Sequence, residues 1–71
     1  MDQTQAETII KHIDTHGSIT SFEAFSEYNI TRLAARIHDI EQMGIVIDRE
    51  MVYTKNSSGH PVRYMRYWRA S

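Results

Sequence analysis

The stretch 29–44, NITRLAARIHDIEQMG, decides how the rest of the chain is read. Leu33, Ile37 and Ile40 fall at spacings of four and three, the period of one buried helix face. Thr31 stands where a helix N-cap is expected, and Gly44 supplies a left-handed stop, giving a helix over about 31–43. With the apolar face on a core, Thr31, Arg32, Ala35, Arg36, Asp39 and Gln42 lie largely on the open side. His38 falls beside the apolar face and is expected to pack against a neighbouring element.

Two further helices are expected upstream. In TQAETIIKHIDTHG (4–17), Thr4 and Glu7 have capping-box spacing, Ala6, Ile9, Ile10 and Ile13 share one face, and Gly17 ends the run. Ser18 and Ile19 leave room for a single bridging strand. Thr20 and Glu23 repeat the capping-box spacing, and Phe22, Phe25 and Tyr28 mark one side of a short second helix. Asn29 is its left-handed terminator, and Ile30 is a buried plug before the third helix. About three residues join the second and third helices, which is helix-turn-helix spacing.

Downstream the period changes. IVIDREMVYT (45–54) and VRYMRYW (62–68) are rich in β-branched and aromatic residues. They flank KNSSGHP (55–61), the loop of a hairpin, with Pro61 placed at the loop edge or strand start, where no ladder donor is required. The order predicts an α+β winged helix: three helices followed by a C-terminal β-hairpin wing, in a single domain over 1–71.

Charge is distributed unevenly. Up to Ile30, one basic residue (Lys11) stands against five acidic ones, a balance of −4. From Thr31 onward, seven basic residues stand against four acidic ones, a balance of +3. Six of those seven are arginine, the side chain suited to bidentate contact with phosphate and guanine. There is no cysteine, hence no disulfide and no thiolate chemistry. No apolar run is long enough to span a membrane, and the acidic, polar start is unlike a cleavable signal, so a cytoplasmic location is expected.

Taken together, HGSITSFEAF (16–25), ITRLAARIHDIEQMGIVI (30–47) and a hairpin ending RYMRYW (63–68) resemble the small winged helix-turn-helix proteins of bacteriophages and prophages. The resemblance covers about residues 4 to 68. It implies a double-stranded DNA-binding module acting in transcription regulation, or as an accessory factor in excision and recombination.

On that reading the third helix enters the major groove through Thr31, Arg32, Ala35 and Arg36. Thr31 and Ala35 are short enough for close approach, while Arg32 and Arg36 reach guanine N7/O6 or flanking phosphates. The other reading of Arg36 is a surface ion pair with Asp39, three residues on. Lys55, Asn56 and Arg63, with His60, cluster around the hairpin loop and form a second candidate surface on the DNA backbone. Arg66 and Arg69 read as edge-strand charges that discourage sheet-to-sheet association. A single module of this size recognises sequence weakly, so a homodimer or tandem binding is expected. The rival reading is a protein-interaction module whose acidic first thirty residues face a host or phage protein, in a DNA-mimic or anti-defence role.

Other chemistry finds little support. His12 and His16 are four apart, but no cysteine or carboxylate set completes a metal site, so a solvated or core-edge pair is expected. No phosphate loop or nucleophile triad is evident, and the chain is short for a sheltered pocket. The expectation is a non-enzyme with no cofactor, no metal and no small-molecule substrate. Phe22, Phe25, Tyr28, Tyr53, Tyr64, Tyr67 and Trp68 are expected mostly to build the core, with Trp68 either closing it or anchoring a second subunit.

Overall fold

A computed structural model describes residues 4–70. Three helices, α1 (Gln5–His16), α2 (Ser21–Tyr28) and α3 (Leu33–Gln42), are followed by β2 (Ile47–Lys55) and β3 (Pro61–Arg69), with a two-residue strand β1 (Ile19–Thr20) between α1 and α2. The antiparallel sheet has the order β1-β3-β2. Three helices and a C-terminal hairpin make this a winged helix, and the short strand is the bridge expected after Gly17.

Local chemistry sets most of the helix ends. Thr4 Oγ1 accepts the Glu7 N–H at 3.1 Å and starts α1. At α2 both arms of the capping box form: Thr20 Oγ1 accepts from Glu23 N–H at 3.1 Å, and Glu23 Oε1 accepts from Thr20 N–H at 2.9 Å. Asn29 takes the left-handed conformation (φ 57°) that ends α2. Gly44, at φ +90°, turns the chain from α3 towards β2, a conformation that side chains with a Cβ resist.

The core is built mainly from isoleucine. Ile9 and Ile13 of α1, Ile19 of β1, Ala24 of α2, Ile30 of the turn, Leu33, Ile37 and Ile40 of α3, Ile47 of β2 and Tyr67 of β3 are all buried. Each fully buried branched side chain contributes roughly 1.5–3 kcal/mol of transfer free energy, so these positions dominate the stability of so small a domain.

Three expectations are corrected. Thr31 does not cap α3: the N-cap is Arg32, without a side-chain hydrogen bond, and the helix starts at Leu33. Four residues therefore separate α2 from α3. The turn must bury both Ile30 and Leu33, and the Ile30 N–H is drawn back onto the Ala24 carbonyl at 3.1 Å, which delays helix entry. His38, expected against a neighbouring element, is exposed.

The aromatic residues do not mostly build the core. Only Tyr67 is buried; Tyr28, Tyr64 and Trp68 are half-buried, while Phe22, Phe25 and Tyr53 are 75%, 54% and 74% exposed. On α2 it is Ala24 and Tyr28, four apart, that face inward, because the small Ala24 lets the helix approach closely. Trp68 alternates onto the outer face of β3, away from the Tyr67 side, where it lies beneath the Arg66 guanidinium.

Candidate nucleic-acid interface

Strand register determines which wing residues share a surface. Ile19, Ile47 and Tyr67 are buried against the helices, so alternation places Arg49, Met51, Tyr53 and Lys55 of β2 and Pro61, Arg63, Met65 and Arg69 of β3 on that same face. Arg63 stands directly opposite Tyr53, and Lys55 opposite Pro61. The distal wing therefore carries two cations and an exposed phenol on the helix-bearing side of the sheet.

The loop between the strands is held by Asn56. Its Oδ1 accepts from the Ser58 and His60 N–H groups at 3.0 and 3.1 Å, while its backbone N–H donates to the His60 carbonyl at 2.9 Å. Asn56, expected as a DNA contact, thus commits its carboxamide oxygen to loop geometry and keeps only its NH2 end for a partner.

Ion pairs sort the arginines. Arg36 Nε lies 3.4 Å from Asp39 Oδ2, without hydrogen-bond alignment; Arg49 pairs with Glu41 of α3 at 2.8 Å; Arg66 pairs with Glu50; and Arg69 pairs with Asp14 of α1 at 3.2 Å. From Thr31 onward, among the described residues, the cations without an ion-pair partner are Arg32, Lys55 and Arg63. All three belong to the set singled out from sequence. Arg36 is half-buried and takes the Asp39 pairing that was its other reading.

On α3, Ala34, His38, Asp39 and Gln42 are exposed and Ala35 is half-buried. Arg32 and Thr31 sit just before the helix, both exposed. Exposed residues outside the candidate set include Gln42, already placed on the open side of α3 by its spacing, and also His38 and Tyr53. His38 could have been placed by its step of about 100° beyond Ile37. Tyr53 could have been placed by parity from Ile47, but its exposure depends on where the helices stop covering the sheet.

His12 and His16 form a core-edge pair. His12 is buried, its Nδ1 lies 2.8 Å from the Tyr28 hydroxyl, and its ring sits 4.5 Å from the exposed His16 ring. Among the described residues, no three His, Cys, Asp or Glu side chains converge as a metal site. Among them, too, no helix is long and apolar enough to cross a membrane.

A family model described as "Winged helix-turn-helix domain" matches residues 4–70. The chain belongs to the winged helix-turn-helix domain family. The match spans every helix and strand described above, and the β2–β3 hairpin is the wing of this domain. No curated protein and no solved structure matches the chain.

Proposed function

We propose that this winged helix-turn-helix domain binds double-stranded DNA, with α3 in the major groove and the wing along the adjacent backbone. One observation carries the reading: the unpaired cations of the C-terminal half, Arg32, Lys55 and Arg63, lie at the start of α3 and on the helix-bearing face of the wing. Arg32 and Arg36 approach phosphates at the entry of the helix. Thr31 and Ala35 allow close approach, and Lys55, Arg63 and the Asn56 NH2 follow the backbone. Arg36 can exchange Asp39 for a phosphate at little cost, since a half-exposed pair of this kind is worth a few tenths of a kcal/mol. The role that fits is a phage-type transcription regulator or an accessory factor in excision or recombination. It would act in the bacterial cytoplasm as a homodimer or on repeated sites.

A second reading has an observation of its own. Phe22 and Phe25 stand exposed on α2 beside Glu23 and Glu27, an apolar and acidic surface suited to a host or phage protein. Fluorescence anisotropy of a labelled random-sequence duplex at several salt concentrations separates the two. Binding that weakens steeply with salt, and weakens further in Arg32→Ala/Arg63→Ala, supports DNA. No binding at low salt rejects it and turns the search towards proteins captured through α2.

A further inference from the structure

The charges on α3 are all engaged: Arg36 with Asp39, and Glu41 with Arg49. What remains on its open side is uncharged in character: short Ala34 and Ala35, then His38 and Gln42. Neither His38 nor Gln42 has a side-chain hydrogen bond or ion pair among the described residues. They are four residues apart and project from one side of the helix. The unpaired cations lie elsewhere, before the helix and on the wing.

We propose that His38 and Gln42, rather than any arginine, determine which base sequence this domain prefers, an inference that rests on the DNA-binding reading above. The division of labour follows from chemistry. Lys and Arg on phosphates add affinity without sequence information, whereas directional donors and acceptors on base edges discriminate. An imidazole N–H donates to purine N7, which adenine and guanine both present. A glutamine carboxamide matches the N7 acceptor and N6 donor of adenine in a bidentate pair. Ala34 and Ala35 add no reach of their own; they bring the backbone close and offer a methyl surface to thymine.

Spacing makes the preference specific. Four residues of helix advance about 6 Å, close to twice the roughly 3.4 Å between successive base pairs. With α3 along the groove, a purine read by His38 and an adenine read by Gln42 therefore fall two base-pair steps apart. Arg32, at the helix entry, lies beyond this pair and contacts phosphate.

The test is selection from a duplex library with randomised positions, using the intact wild-type chain, His38→Ala and Gln42→Ala. Each protein's affinity for the selected duplex and for a random duplex is then measured by anisotropy. The expected result is a wild-type site with a purine and an adenine two steps apart. Gln42→Ala should lose roughly five- to a hundredfold of the preference at the adenine, and His38→Ala should lose preference at the purine. Both variants should lose less affinity for random duplex than for the selected one, and wild-type far-UV circular dichroism and thermal midpoint show that they are folded. Random-duplex binding without sequence enrichment, or enrichment unchanged in both variants, overturns the assignment while leaving DNA binding intact. Absence of random-duplex binding by the wild type overturns the DNA reading itself and this assignment with it.

Discussion

His12 Nδ1 and the Tyr28 hydroxyl lie 2.8 Å apart, joining α1 to α2 through a histidine that is only 3% exposed. Glu27 and Glu23 flank the ring, 3.6 Å from Nδ1 and 3.8 Å from Nε2 respectively. This contact fixes how the second helix sits on the first, and so where the turn into α3 begins. Tyr28→Phe keeps the ring and removes the partner, so it should cost about 1 kcal/mol in urea unfolding.

The same hydroxyl gives a pH dependence. Burial, followed by the nearby Glu27 and Glu23 carboxylates, pushes the Tyr28 pKa above its ordinary value of 10.0. The protonated phenol is therefore the form the fold prefers. Its stabilisation is complete below the unfolded pKa and is lost as pH rises through the higher folded value. Thermal scans should show an alkaline loss of stability beginning at about pH 10, and that loss should be smaller in Tyr28→Phe.

Core and surface substitutions should separate sharply. Ile37 is fully buried, so Ile37→Ala should cost about 2–5 kcal/mol, enough to unfold much of so small a domain at ordinary temperature. Phe22 is larger but 75% exposed, and Phe22→Ser should stay within about 0.5 kcal/mol of wild type. Far-UV circular dichroism during denaturation measures both.

Capping should matter at α2. Thr20→Ala removes the acceptor for the Glu23 N–H and disrupts the reciprocal box, with an expected cost of about 0.5–2 kcal/mol. Thr20→Ser retains the oxygen and should recover most of that stability in the same assay.

DNA affinity should respond to free cations and not to paired ones. Lys55→Ala and Arg63→Ala should each weaken binding across all sequences and lower the log–log salt slope by about one. Arg69→Ala, whose guanidinium faces Asp14, should leave that slope unchanged. An equal effect from all three would remove the distinction between free and paired cations.

The element order, the helix stops at Gly17 and Asn29, the α2 capping box and the isoleucine core were legible in the chain because each is a local signal. Capping couples residues three apart, and a buried helix face repeats at three and four. Tertiary structure decided the rest. Burial of Ile30 together with Leu33 moved the start of α3 past Thr31, and the close packing of Ala24 turned Phe22 and Phe25 outward. It also decided which arginines are free, since Arg69 meets Asp14 across fifty-five positions and Arg66 meets Glu50 only through strand register. Composition counts charges, but a guanidinium is engaged or available according to neighbours that only the folded chain brings together.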